Sequence, residues 1–336
     1  MSDRIWDPEI VEDGGKKIAI ACQGGGSHTA FTAGVLKTLL RNWSDDHRLV
    51  GLSGSSGGAF NAVAVWYGLA SGDVSDAVAN LEGIWDDLSA DTVGDRLTND
   101  WMVEYSRAEG SGFPLPRLSP YYVPGSSLGQ KRIKETLEKY IEFDDIPNYC
   151  KGRFPHLVVG TVNVNAGEFE TFTDENVTPK AVLASAADPS LFKGVEIHGH
   201  LHWDGLFSQN PPVSDLMKVN SEKKPDEIWV VQINPQGREG EPTMLDEIGD
   251  RRNELSGNIS LNQELRFIER VNEWVDEGYL PEDEFSKTEV RRIEMNGGYH
   301  CSTKIDRSPS FLRELIELGE EQAKEFLERM TEQGKT

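Results

Sequence analysis

The chain has 336 residues, 37% of them hydrophobic, which is enough for one large domain or two small ones with a substantial core. Its 57 acidic residues outnumber its 34 basic residues, and the formal net charge is −23. We therefore expect no nucleic-acid partner, because phosphate binding needs clustered lysine and arginine. The same charge argues against tight docking on an anionic membrane surface.

Charge, cysteine usage and the N-terminus bear on the compartment. An acidic surface keeps a protein soluble and is exploited by halophiles, so a high-salt cytoplasm and an ordinary acidic enzyme both stay open. The 3 cysteines are widely spaced, without a Cys-x-x-Cys pair, which suits a reducing compartment. The N-terminus has no apolar signal core, and the longest apolar stretch is too short to span a bilayer. We expect a soluble, cytoplasmic protein.

The N-terminal part repeats a strand–helix pattern. Residues 16–22 predict a buried strand, which Gln23 and the glycines at 24–26 end. A helix follows, with apolar residues at helical spacing. A second strand, turn and helix occupy 49–66, and another helix is expected over 77–88. This order predicts an α/β fold, with a mostly parallel central sheet sandwiched by helices.

Residues 93–130 are rich in aromatic residues, proline and glycine, and we expect them to be irregular. A loop of this length in a compact domain is often functional. It is open whether the segment forms a lid or wall for an apolar substrate, or a well-packed surface excursion. A helix is predicted again over 133–141.

The later part predicts a strand over 156–164 with a hairpin partner at 168–173, and a buried strand over 227–233. Between them Thr178 and Pro179 are typical of an N-cap and first helical position. After Pro235 the sequence becomes more polar, with amphipathic helices around 265–275 and from 308 onward. We predict a catalytic domain over 1–235 and a C-terminal helical extension over 236–336, packed on the same domain.

The sequence Gly54-Ser55-Ser56-Gly57-Gly58 lies between the second strand and its helix. A Gly-x-Ser-x-Gly at such a turn indicates a nucleophile elbow, which exposes the serine hydroxyl. The backbone N–H of Gly57 would face the position where an oxyanion develops. The motif indicates a serine hydrolase with Ser56 as nucleophile.

A serine hydroxyl needs a base, and residues 197–205 leave three interpretations open. One of His198, His200 and His202, or else His300, is the base of a triad. Alternatively, the three histidines and Asp204 share one face of a strand and hold zinc. In the third interpretation Asp204 is itself the base.

Gly24, Gly25 and Gly26 lie between a strand and a helix, where their N–H groups can form an oxyanion hole or bind a phosphate. A dinucleotide site is not favoured, because position 29 is threonine and no acidic residue ends a neighbouring strand at the usual distance.

Together these motifs resemble the patatin-like phospholipase family, of the bacterial and archaeal type, over roughly residues 16–235. The similarity rests on four motifs in order: Gly24–His28, Gly54–Gly58, Ala184–Phe192 and Asp204–Pro212. The chain departs from the family at His28, where Arg or Lys is frequent, and at Leu206, where Gly or Ala is frequent. These departures put anionic head-group binding in doubt and suggest a local backbone change beside Asp204.

The resemblance implies a dyad in which Ser56 is the nucleophile and Asp204 the base, with no metal and no cofactor. It also implies an oxyanion hole formed by the amides of Gly24, Gly25 and Gly26, joined by Gly57. Burial beside apolar residues would raise the pKa of Asp204 and strengthen it as a base.

We therefore predict a serine acyl hydrolase, a lipase or phospholipase A-type esterase, that cleaves carboxylic esters of lipids through an acyl-enzyme intermediate. Its expected partners are the lipid ester and a transient membrane or lipid-droplet surface. Two alternatives stay open: a metal-dependent hydrolase built on His198, His200, His202 and Asp204, and a non-catalytic lipid-binding protein on the same fold.

Overall fold

The central feature of the computed structural model is one mixed β-sheet. The structure describes residues 5–6, 15–116, 118–123, 126–150, 154–219, 224–281 and 284–333. Within these ranges eight strands form the order β5-β6-β3-β2-β1-β7-β8, with β4 also paired to β3. The strands are β1 (Lys16–Cys22), β2 (His47–Gly54), β3 (His156–Asn163), β4 (Glu168–Thr173), β5 (Val195–Ile197), β6 (His200–Asp204), β7 (Glu227–Gln232) and β8 (Glu289–Glu294).

The strand pairings are mostly parallel, as predicted. β1 pairs in parallel with β2 and β7, β2 with β3, and β7 with β8. The antiparallel pairs are confined to the end that carries β3, β4, β5 and β6, and β3 and β4 form the hairpin that the sequence predicts. In the parallel part the carboxyl ends of β1 and β2 lie side by side, which brings the two glycine-rich segments together.

Helices cover both faces of the sheet, as the predicted architecture requires. Alternate residues of β1 enter different cores: Ile18 and Ile20 join the larger one, and Ala19 and Ala21 join the smaller one, which also contains residues of α8. The helices are α1 (Ala30–Arg41), α2 (Gly57–Ser71), α3 (Val74–Leu88), α4 (Val93–Gly110), α5 (Ser127–Tyr140), α6 (Ile146–Tyr149), α7 (Pro179–Ser185), α8 (Leu245–Asp276) and α9 (Pro309–Gln333).

The expectation that residues 93–130 are irregular is wrong for 93–110, whereas the described residues between 111 and 126 are turns and loop. The first half of the segment forms α4, which begins where the Thr92 hydroxyl accepts a hydrogen bond from the Asp95 amide. The large apolar side chains of α4, at Val93, Leu97 and Trp101, point away from the core. The helix therefore lacks the buried apolar face from which sequence periodicity is recognised. Residues 117, 124 and 125 of this segment lie outside the described residues.

The region after residue 235 contributes more than helices. β8 extends the sheet beside β7, because residues 289–294 pair with residues 227–232 in parallel register. α9 packs closely on α1: a Cβ on Gly34 would lie 2.0 Å from the Ile316 carbonyl oxygen. The prediction of a helical extension is therefore incomplete, because the region also adds a strand to the sheet. The boundary at residue 235 stays a prediction.

Among the described helices, none combines the length and the apolarity that crossing a bilayer requires.

Candidate active site

Ser56 occupies a sharp turn between β2, which ends at Gly54, and α2, which begins at Gly57. Its backbone has φ 54° and ψ −131°, a conformation that non-glycine residues rarely adopt. Such a conformation costs about 1–3 kcal/mol and persists only where the surroundings hold it. The strand–turn–helix predicted around Ser56 is present.

The glycines of this turn are required by close backbone contacts. A Cβ on Gly54 would lie 2.4 Å from the Gly58 carbonyl oxygen, and a Cβ on Gly58 would lie 2.2 Å from the Cys22 carbonyl oxygen. Real Cβ atoms do not approach so closely, so any side chain here would displace α2 from the end of β1. The glycines thereby allow α2 to begin directly beside the first strand.

Ser185, which the sequence analysis did not single out, holds the strained turn. The Ser56 amide donates to both the carbonyl oxygen of Ser185 at 3.1 Å and its Oγ at 3.0 Å. The Ser185 hydroxyl donates in turn to the Gly160 carbonyl oxygen at 2.6 Å. The contact joins the turn to α7 and β3. Ser185 belongs to the motif 184–192, but its residue type alone gave no indication of this partner.

Asp204 ends β6 and lies opposite Thr161 of β3. Its side chain is buried, with the residue 3% exposed, and its Oδ1 accepts the Leu206 amide at 2.8 Å. Burial raises the pKa of Asp204 to about 7; hydrogen bonds from the Leu206 amide and the Ser56 hydroxyl oppose the rise, and the charge of Asp188 adds to it. The Ser56 hydroxyl therefore lies close enough to the Asp204 carboxyl to influence its pKa.

The glycine-rich loop lies against this pair. A Cβ on Gly24 would lie 2.9 Å from the Cβ of Ser56. The Gly24 amide, however, already donates to Oδ1 of Asn210 at 2.7 Å, which differs from its expected role as an oxyanion donor. For Gly25, Gly26 and Gly57 no amide hydrogen bond to another described residue is seen.

Gln23 fixes the loop from behind, a role that the sequence analysis missed. Its Oε1 accepts the amides of Ile233 and Asn234, both at 2.8 Å. Its Nε2 donates to Oδ1 of Asn258 on α8 at 2.9 Å. Gln23 therefore connects the glycine loop to the end of β7 and to α8, which lies in the part of the chain that no motif covered.

The histidines do not gather around Ser56. His198 has φ 50° and belongs to the turn between β5 and β6, so the face expected for a strand over 198–204 does not form. His202 is buried and its Nε2 lies 2.9 Å from a carboxylate oxygen of Glu170. Nδ1 of His300 contacts the Ser302 hydroxyl at 2.8 Å. The strand face that the zinc interpretation needs is therefore absent, and His202 and His300 have hydrogen-bond partners other than Ser56.

One group of described residues has ligand atoms that lie within 4.8 Å of one another and could hold a metal ion: Asp250, His300 and Cys301. Oδ2 of Asp250 already accepts from Arg238 at 3.0 Å, and its Oδ1 accepts the Cys301 amide at 2.7 Å. Burial, followed by the neighbouring Asp250 charge, raises the pKa of the Cys301 thiol to about 11. A thiol that keeps its proton is a poor metal ligand.

His28 stands at the position where the family frequently has a cation. Burial is the main reason that its pKa lies well below the usual range, and the charges of Lys304 and His300 act in the same direction. Its Nε2 lies 2.7 Å from the Thr303 hydroxyl. A neutral, hydrogen-bonded His28 therefore joins the glycine loop to residues 301–305 and adds no positive charge beside Ser56.

A protein-family model, Patatin-like phospholipase, matches residues 20–217. The match covers more than half of the chain, which therefore belongs to the patatin-like phospholipase family, a family of lipid acyl hydrolases. Among solved structures, VipD from Legionella pneumophila is similar with a TM-score of 0.44 and 15% identity, over 95% of this chain and 68% of VipD. No curated protein matches the chain.

Proposed function

We propose that the chain is a serine acyl hydrolase of lipid carboxylic esters, in which Ser56 is the nucleophile and Asp204 the general base. The observation that carries the proposal is the buried Asp204 carboxyl, whose pKa burial raises to about 7 and whose pKa the nearby Ser56 hydroxyl in turn lowers. A base works best when its pKa lies near the working pH. An aspartate with an ordinary pKa near 3.9 would be a weak base for a hydroxyl.

The oxyanion would be bound by the amides of Gly25, Gly26 and Gly57. This assignment is supported by the absence of other described partners for these amides and by the position of Gly57 at the first turn of α2. The helix N-terminus adds a favourable field for negative charge. In this proposal Gly24 acts through its size, because it lets the loop approach Ser56, while its amide holds Asn210.

The reaction then proceeds in two halves. Oγ of Ser56 attacks the ester carbonyl carbon as its proton passes to Asp204, and collapse of the tetrahedral adduct releases the alcohol or lysolipid with that proton. In the second half Asp204 takes a proton from water as the water oxygen attacks the acyl carbon. Collapse of this adduct breaks the bond to Ser56 Oγ, which receives the proton back from Asp204, and the fatty acid is released. Each half uses the same base and the same oxyanion donors.

We also propose a domain organisation, a cellular compartment and a place where the enzyme meets its substrate. The catalytic domain spans 1–235, with 236–336 as an extension that buttresses it. The enzyme works in the cytoplasm and meets its substrate at a membrane or lipid-droplet surface. Support for the buttressing role comes from Gln23, which contacts both the glycine loop and Asn258 of α8.

Labelling with a fluorophosphonate probe, followed by peptide mapping, tests the dyad. We expect an adduct on Ser56 that persists with chelator, and a fall in ester turnover of at least about 10³-fold in Ser56→Ala. Ser53→Ala is the matched control, since this buried hydroxyl of β2 has no hydrogen-bond partner among the described residues. Failure of Ser56 to label, or unchanged turnover in Ser56→Ala, would refute the assignment and favour a lipid-binding protein.

A further inference from the structure

The segment after α3 carries a group of large apolar side chains that face solvent. We call this group the apolar rim, and each member is at least 65% exposed: Val93, Leu97, Trp101, Phe113, Leu118 and Tyr122. The three in α4 follow one another at intervals of four residues, so they form a stripe along one side of the helix. Large exposed apolar side chains that gather in one segment are a mark of a binding surface.

The exposure of the stripe follows from how α4 is anchored. Nδ2 of Asn99 donates to Asp306 at 2.8 Å, and Oδ1 of Asn99 accepts the Arg307 amide at 2.7 Å. Asn99 is buried, whereas Leu97 and Trp101 on the opposite side of the helix are not. The polar side chain fixes the orientation of α4 and leaves the apolar stripe exposed, where the ring of Trp101 contacts that of Tyr105 on the same helix.

The apolar rim is connected to both sides of the proposed site. On one side α4 packs on residues 301–305, and the Lys304 carbonyl oxygen lies against Gly26 of the glycine loop. On the other side the Tyr121 hydroxyl accepts the Gly194 amide at 3.1 Å, in the segment that follows Ala187. The Ala187 carbonyl oxygen accepts the Asp204 amide. These contacts connect the segment that carries the rim to the glycine loop and, through residues 187–194, to the strand end that carries Asp204.

We propose that the apolar rim is the docking surface for a lipid surface without net charge. The inference rests on the proposed function, because a lipid ester is presented to the enzyme in an aggregate. Aromatic side chains with a polar atom, such as Trp101 and Tyr122, suit the lipid–water boundary. The partner should carry no net negative charge, because α4 has four acidic residues against two basic ones and the whole chain has a net charge of −23. An anionic surface would be repelled.

Vesicle co-sedimentation tests the proposal, with Ser56→Ala as the parent so that no lipid is consumed. The vesicles are pure phosphatidylcholine, and a second set is rich in phosphatidylglycerol. We expect the parent to bind phosphatidylcholine, and the added pair Leu97→Asp and Trp101→Asp to weaken binding by more than about tenfold. Tyr122→Asp, outside any helix, should weaken it separately. Binding to the anionic vesicles should be weaker at low salt, with the difference lost at multimolar salt.

Phe267→Asp is the matched control, because Phe267 is 62% exposed against 65% for Trp101. The Leu245 side chain is near Gly112, which precedes Phe113 of the apolar rim. Phe267 lies about 33 Å further along α8 than Leu245. Equal binding by the rim variants and the parent, or equal loss in Phe267→Asp, would overturn the docking surface. The proposal would also be overturned if the parent dimerised with increasing concentration and only the rim variants abolished dimerisation. In that case the apolar rim would bind a second copy of the chain. Hydrolysis of a water-soluble ester by the unmodified chain tests the dyad separately.

Discussion

Ser56 and Asp204 meet because two strands from distant parts of the chain end at the same place. Each residue is held by backbone contacts that its own type does not provide: the Ser56 amide by Ser185, and the Asp204 amide by Ala187. Both residues are buried, and burial is the largest influence on the pKa of Asp204, which the Ser56 hydroxyl opposes. The proposed chemistry therefore depends on the surroundings of two common residue types.

The pH dependence of the reaction is predicted from that pKa. The base must be unprotonated, so kcat/KM should rise about tenfold per pH unit below about 7 and level off above it. Asp188→Asn removes a negative charge that raises the pKa of Asp204, and the rising limb should move to lower pH. Glu325→Gln, on the exposed side of α9, is the control and should leave the limb in place. A limb unmoved by Asp188→Asn would contradict the electrostatic coupling.

At the scale of elements, glycines decide how closely helices approach. Gly34 of α1 lies against the backbone of α9, and Gly319 of α9 lies against the Phe31 carbonyl oxygen of α1. The two helices therefore meet backbone to backbone, which larger residues would prevent. This contact fixes the last helix of the chain on the face of the sheet that α2 also covers.

Alanine substitution tests this contact. In Gly34→Ala the Cβ would lie 2.0 Å from a carbonyl oxygen, and we expect a loss of about 1–3 kcal/mol in the free energy of unfolding. Gly94→Ala in α4 is the matched control, because no atom lies within 4 Å of its Cβ position. Helix propensity predicts that this control gains about 0.5–1 kcal/mol. Chemical denaturation measures both, and equal effects would contradict the close crossing.

For the whole molecule the dominant property is its net charge of −23. Mutual repulsion of surface carboxylates destabilises the compact state, and salt screens it. We expect the melting temperature to rise from low to multimolar KCl, as a high-salt cytoplasm would require. Sodium chloride at equal ionic strength is the control and should act similarly, because screening does not depend on the ion. A melting temperature independent of salt would favour the ordinary acidic enzyme.

Local sequence determined the elements whose signals are local. Gly54–Gly58 specified a tight turn because only glycine fits the close contacts there. Thr178 and Pro179 specified a helix start, and the Thr178 hydroxyl does accept the Ala181 amide. The order of strands and helices indicated the mostly parallel sheet, because a parallel connection needs a crossover. The turn motif also indicated the candidate nucleophile, whereas Asp204 as the base was implied only by the resemblance to a family.

Only the tertiary structure decided which groups lie together. It removed the strand face predicted for the histidines, because His198 and Gly199 form a turn, and it gave the Gly24 amide to Asn210. It also made α4 a helix, anchored through Asn99 to residues near 306, although its apolar side chains face outward. These outcomes depend on contacts between residues far apart in the chain. The periodicity and residue type of a single segment carry no information about such partners.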